Sequence, residues 1–229
     1  MFLKYFQKLD DIISYLLASE LNEKKFLKNY LKKKEIIIVD IGANEGTYLD
    51  FLGSIFHLKK IYCFEPIANL SDKLKANYGN KNIVVYNTAL SNFKGSRKFY
   101  EYQVSSTSSF YKQNDLYKSL KKIKNVKKIS VNKYDNYFRN NKKIDICKID
   151  VQGEDFKVLQ GMTKNLKKKC IKLIKVELSL EKFYFNTKET FYDIIFFLKK
   201  YNYSLISISK IKTKDQKLTF LDAYFEYKK

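Results

Sequence analysis

The sequence predicts an α/β protein with a doubly wound, mostly parallel sheet of seven strands, one of them antiparallel. Three observations predict it. The stretch Glu35–Gly46, EIIIVDIGANEG, runs from a β-branched segment into a glycine turn, and Thr47–His57 then returns to helical spacing. Further strand-length apolar runs alternate with helical segments, the pattern of right-handed βαβ units. Two closing stretches, Ser204–Ile208 and Leu218–Phe225, form a hairpin-like pair that supplies the antiparallel strand.

Taken in order, Phe2–Leu17 places Phe2, Phe6, Leu9, Ile13, Leu16 and Leu17 on one helical face. A second helix, Glu20–Leu31, runs into Lys32–Lys34. Residues 1–33 thus form a helical appendage ahead of one domain spanning 34–229. Three roles stay open for it: packing over the sheet, joining a second copy in a homo-oligomer, or peripheral contact with a membrane surface. The last rests on an aromatic face flanked by lysines.

After the glycine turn and its helix, Lys60–Glu65 is the second strand. Pro66, the one proline, starts the helix Ile67–Tyr78. Asn82–Tyr86 is the third strand. The rhythm then breaks, with an extra strand at Arg97–Tyr102, a serine-rich loop at Gln103–Phe110 and a lysine-dense stretch at Lys112–Lys128. Residues 103–128 read either as a lid over the ligand edge of the sheet or as a surface loop. A strand at Lys128–Val131 follows. Ile144–Val151 is the fourth parallel strand, Glu154–Gly161 a helix, Ile171–Leu178 the fifth strand and Glu189–Tyr201 an amphipathic helix.

Composition bounds the function. The net charge of +21 invites a nucleic-acid partner. Against it, Arg97 and Arg139 are the only arginines, and recognition of bases and phosphates favours the guanidinium fork. The lysines are scattered among abundant Asn, Ile, Tyr and Phe, all with A/T-rich codons, so specific nucleic-acid binding is not expected. Cys63, Cys147 and Cys170 are an odd number in apolar runs and read as core residues in a reducing compartment. Charges interrupt any apolar leader, and no run approaches the roughly 20 residues that span a bilayer. A cytoplasmic location is expected.

The turn itself reads D-x-G-x-N-x-G, with Asn44 where a dinucleotide fingerprint has its central glycine. An acid before the turn suits a ligand with a cationic end better than a pyrophosphate; an ordinary tight turn is the alternative. Glu65 closes its strand roughly 20 residues beyond, where an acid receives a ribose diol.

Six ordered pieces resemble S-adenosylmethionine-dependent methyltransferases of the FkbM family: VDIGANEG at Val39–Gly46, FEP at Phe64–Pro66, TALSNFKGS at Thr88–Ser96, SSTSSF at Ser105–Phe110, KIDVQGEDFKVLQG at Lys148–Gly161 and VELS at Val176–Ser179. The resemblance covers roughly Lys34–Ser179. It implies the class I, Rossmann-like methyltransferase fold and transfer to a hydroxyl of a sugar or polyketide-like product. Carried over by position, Asp40, Gly42, Asn44 and Gly46 line the methionine end of the cofactor. Glu65, followed by Pro66, takes the ribose hydroxyls, and Thr88 and Ala89 sit at the adenine. Asp150 faces the methyl group. Ser108, Ser109, Gln152 and Glu154 are the expected acceptor-side residues, with Gln152 standing where relatives carry Glu or Gln.

A sugar hydroxyl is a poor nucleophile, so a base or a metal must help it. His57, the single histidine, reads as structural. The base is then a carboxylate at the C-terminal edge of the sheet, Asp150 first and Glu177 second. The same pair holding one divalent ion such as magnesium is the alternative, and a purely structural role for either also stays open. The expected acceptor is a sugar, nucleotide-sugar or glycan precursor. Rival functions are an RNA methyltransferase, which lacks its Asn/Asp-Pro-Pro-aromatic motif here, and a non-catalytic cofactor or nucleotide-sugar binder.

Overall fold

The computed structural model describes residues 22–79, 82–113, 122–139, 142–180, 185, 190–214 and 217–228. The expected helix Phe2–Leu17 lies outside them. Helix α1 covers 22–31. The central sheet takes β1 (Glu35–Ile41), β2 (His57–Phe64), β3 (Ile83–Tyr86), β7 (Ile144–Ile149), β8 (Ile171–Ser179), β9 (Tyr203–Lys214) and β10 (Lys217–Tyr227). Their spatial order is β3-β2-β1-β7-β8-β10-β9. Strand β10 inserts between β8 and β9 and runs antiparallel to both. The expected seven-stranded, mostly parallel sheet with one antiparallel strand is what the chain forms.

Parallel strands covered on both faces must be apolar on both faces, and β1 is: Ile36, Ile38, Val39 and Ile41 are at most 1% exposed. On one face Ile36, Ile38, Ile61, Ile146 and Leu173 pack against α1, α2 (Thr47–Gly53) and α3 (Ala68–Tyr78) through Leu27, Leu31, Leu49, Leu52 and Leu74. On the other face Val39, Ile41, Cys147, Ile149 and Val176 meet α4 (Asp155–Gln160), α5 (Thr163–Lys167) and α6 (Phe191–Lys199). Cys63, Cys147 and Cys170 are buried free thiols, as expected.

Toward the C-terminal edge the first face changes character. Asp40, Lys148, Lys175 and Tyr224 are register neighbours across four strands. Glu23 of α1 covers this polar row. Its Oε1 accepts from Lys175 Nζ at 2.7 Å and from the Tyr224 hydroxyl. Asp222 lies 2.9 Å from the same ammonium, and the Tyr48 and Tyr224 hydroxyls are 3.2 Å apart. Burial works against the charge on Glu23, but Lys175 holds its carboxyl below the ordinary range. Helix α1 is therefore locked to the sheet by charge as well as by Leu27 and Leu31.

A second, three-stranded sheet stands over the ligand edge, in the order β4 (Ala89–Leu90), β6 (Ile123–Asn132), β5 (Gly95–Tyr102). Here the boundaries differ from expectation. β6 begins at Ile123, not Lys128, because backbone pairing with β5 carries it while most of its side chains face solvent. An exposed strand of this kind leaves no apolar alternation to read. Helix α2 ends at Gly53, and His57 starts β2 with its N–H bonded to Lys34 O, so His57 does not close the preceding helix. The fourth strand stops at Ile149, before Asp150. No helix among the described residues is long and apolar enough to cross a membrane.

Removing one partner from a buried ion pair strands the other. Glu23→Ala is expected to cost about 3 kcal/mol, the low end for such pairs because Asp222 still faces Lys175. Urea unfolding beside Glu45→Ala, an exposed control expected within ~0.5 kcal/mol of wild type, checks it.

Candidate active site

The turn after β1 brings three other segments to one point. Gly42 has φ +77° and Gly46 φ +90°, both in the left-handed region. A Cβ on Gly42 would stand 2.0 Å from the carbonyl oxygen of Asp150, so the turn touches the backbone after β7 directly. Gly42 N–H donates to Phe64 O at 2.9 Å. Asp40 is fully buried beneath the turn, with Lys148 Nζ 3.2 Å from its Oδ1; among the described residues its Oδ2 has no hydrogen-bond partner. Lys148 also donates to Gly42 O. Burial would lower the Lys148 pKa, but Asp40 and Asp150 outweigh it and keep the ammonium charged.

Glu65 follows β2 and is 4% exposed. Its Oε2 accepts from Asn44 N–H and its Oε1 from Ile67 N–H, both at 2.8 Å. The two backbone donors fix the carboxylate plane and leave lone pairs for a diol. Burial pushes its pKa up to about 7 against the pull of those donors. Pro66 and Ala89 line the same cleft. Thr88 is turned away, its hydroxyl donating to Ser130 O at 3.0 Å.

Across the cleft, the Gln152 amide donates to Asp150 Oδ1 at 2.7 Å and to Glu177 Oε2 at 2.9 Å. One amide thus bridges the two expected carboxylates. Lys148 Nζ lies 3.4 Å from Asp150 Oδ2. Gln152 itself has φ +55°, and the loop is pinned to hold that conformation. Asp155 accepts from Val151 N–H at 3.1 Å and Gly153 N–H at 3.0 Å. Ser109 donates to Gln152 O at 2.6 Å.

Glu154 is 1% exposed and ties this loop to the side sheet. It accepts from Ser91 Oγ and Tyr111 Oη, each at 2.6 Å, and from Arg97 at 3.1 and 3.2 Å. The Arg97 guanidinium lies 4.8 Å from the Phe110 ring centre and 4.7 Å from that of Tyr111. Glu154 and Ser109 therefore support the cleft from within and do not line it. Ser108 and Ser105 do, and Ser105 Oγ donates to Asn44 Oδ1 at 3.0 Å across the opening.

A family model described as the methyltransferase FkbM domain matches residues 40–205. The chain belongs to this family. No curated protein matches it. Among solved structures it is similar to a methyltransferase FkbM from Methylobacillus flagellatus KT, at 15% identity and TM-score 0.53, covering 83% of this chain and 44% of that one. It thus spans under half the length of that relative. The fibrillarin pre-rRNA processing protein of Methanococcus jannaschii (13%, TM-score 0.51, 85% and 67% covered) shares the fold. So does magnesium protoporphyrin IX methyltransferase from Synechocystis PCC 6803, solved with bound SAM (9%, TM-score 0.51, 96% and 83% covered). The fold is that of class I methyltransferases.

Within this FkbM domain, Gly42, Asn44, Glu65, Pro66, Ala89, Ser108, Asp150 and Gln152 surround one cleft together with Ile67, Phe99, Phe110 and Ser105. Asp40, Gly46, Thr88, Ser109, Glu154 and Glu177 stand behind it. Gly46 packs on the Tyr78 ring. The aromatic wall of Phe99 and Phe110, and Arg97 behind it, have no counterpart among the sequence-derived site residues, while Glu154, expected on the acceptor side, is instead held behind the cleft by Arg97. The signal for Arg97 was its rarity in a lysine-rich chain. Among the described residues no three His, Cys, Asp or Glu side chains group as metal ligands. His57 is exposed and 3.9 Å from Glu35, at the far end of the sheet.

Burial also raises the Asp155 pKa to about 7, with the Asp150 charge adding to it. Asp155 and Glu65 therefore hold protons more tightly folded than unfolded. The stability they contribute is complete below about pH 4 and is lost as pH rises through about 7. Urea midpoints across this window should fall with pH, and Asp155→Asn should flatten the slope. An unchanged slope would mean that Asp155 titrates normally.

Proposed function

We propose that the chain is an S-adenosylmethionine-dependent O-methyltransferase acting on a hydroxyl of a sugar or surface-glycan precursor. The observation that carries this reading is the pair Asp150 and Glu177, bridged by Gln152, beside the Glu65 carboxylate. The residues fit the cofactor. Glu65 presents oriented acceptors for ribose hydroxyls, and Ile67, Ala89 and Leu90 offer apolar contact to a planar base.

When bound, the sulfonium supplies an electrophilic methyl group. The protein's own task is to hold the acceptor oxygen in line and to take its proton. Asp150 lines the cleft and Glu177 does not, so Asp150 is the proton acceptor. Gln152 fixes the plane of its carboxylate, and Lys148 keeps it close to the turn. The cleft encloses about 50 Å³, whereas sites for small molecules take roughly 300 Å³ or more. Cofactor binding therefore requires a wider cleft than this one, and the Ser105–Asn44 hydrogen bond is the contact that spans its opening. Arg97 is committed to Glu154, which leaves little guanidinium chemistry for RNA.

Single-turnover methyl transfer to extracted nucleotide sugars, read by mass spectrometry, tests the reading. Asp150→Asn should slow the step by roughly two to four orders of magnitude with cofactor affinity nearly unchanged. Glu65→Ala should instead weaken cofactor binding by about tenfold or more. Methylation of RNA but of no sugar acceptor would overturn the acceptor class.

A further inference from the structure

A second concavity lies at the opposite end of the sheet from the methyl-transfer cleft. It encloses about 660 Å³, within the range of small-molecule sites. Its walls are the start of β7 at Ile144 and Asp145, the start of β8 at Ile171 and Lys172, and the end of β10 at Glu226 and Tyr227. The six residues of β7 separate it from Asp150 by about 20 Å at ~3.3 Å per residue. A ligand there does not reach the transferred methyl.

Five lysines converge on this hollow: Lys33, Lys143, Lys169, Lys172 and Lys228. Two acids face them, and both are engaged. Asp145 is buried, pairs with Lys33 and accepts from Ile37 N–H at 2.9 Å. Glu226 accepts from the Tyr30 hydroxyl. Four ammonium groups remain for an incoming anion. Two of them lean on aromatic rims, Lys169 at 4.5 Å from the Tyr227 ring centre and Lys172 at 5.1 Å from that of Tyr30. Lys143 donates to Lys169 O at 3.3 Å, which draws its ammonium toward the same rim. Among the described residues the exposed lysines elsewhere, such as Lys98 and Lys128, stand on open strands and helix faces where solvent screens them, and the buried Lys148 and Lys175 are paired with carboxylates. In a concave site like charges focus the field.

We propose that this hollow is a second binding site, for the diphosphate of a small soluble ligand of nucleoside-diphosphate size. Lysine ammonium groups bind phosphate as point charges without needing the guanidinium fork, and the volume of the hollow takes a ligand of that size. Extended RNA fits less well, since the basic residues line a walled pocket and not a stripe.

Calorimetric titration of the full chain with ADP, and separately with inorganic pyrophosphate, tests the site. Wild type should bind one ADP. Lys143→Gln with Lys172→Gln should weaken it by about tenfold or more, given charge-assisted contacts to phosphate. Lys98→Gln with Lys128→Gln, an exposed pair across β5 and β6, removes the same charge and should change nothing. ADP should also protect Lys143 and Lys172 of wild type from acetylation. Absence of saturable binding, or equal loss in both double variants, would overturn the proposal. So would capture by phosphatidylglycerol vesicles that ADP does not compete away, which points to a membrane surface.

Discussion

Glu154 sits where the parallel sheet meets the side sheet, and a carboxylate buried there must be compensated or the protein pays heavily. Arg97 from β5 supplies the charge, and Ser91 and Tyr111 supply the remaining donors. Lys157 approaches the same carboxylate at 3.7 Å. Every one of these partners belongs to a segment that shapes the cleft. Arg97 lies on the strand bearing Phe99, Tyr111 directly follows the serine-rich loop, and Glu154 itself closes the loop that carries Gln152. Losing this contact frees the flap and the strand end together.

A second polar layer does the same below the sheet edge. Asp40, Lys148 and Lys175 share one row, so the glycine turn, the strand carrying Asp150 and the first described helix are joined by charge. Lys148 is the link between site and scaffold, with contacts to Asp40, Gly42 O and Asp150. Such rows cost desolvation and return fixed geometry. For a transfer that depends on an in-line approach, fixed geometry is the main requirement.

The sheet was legible in the sequence because buried parallel strands leave continuous apolar runs, as in Ile36–Val39. The cleft residues Gly42, Glu65 and Asp150 were legible because each sits at a strand end next to a turn. Three things were hidden. β6 stabilises itself through backbone pairing with solvent-facing lysines, which looks like a loop. Glu154 reads in the sequence as an acceptor-side residue, and its bracing role shows only when its partners, 57 and 63 residues earlier, fold against it. The division between residues that line the cleft and those that brace it depends on side-chain direction, which spacing alone does not report: Ser108 faces the cleft and Ser109 faces Gln152.

The dependence of the cleft on Glu154 is tested most directly by a double-mutant cycle of Arg97→Gln and Glu154→Gln, read by unfolding free energy and by S-adenosylmethionine affinity. Each single change leaves a buried group uncompensated, while the double change leaves two neutral amides that can face each other. Both readouts should therefore show a coupling above about 1 kcal/mol, with the double variant recovering part of the single losses. Additivity within ~0.5 kcal/mol in both would contradict the account and reduce the Arg97–Glu154 pair to a local contact.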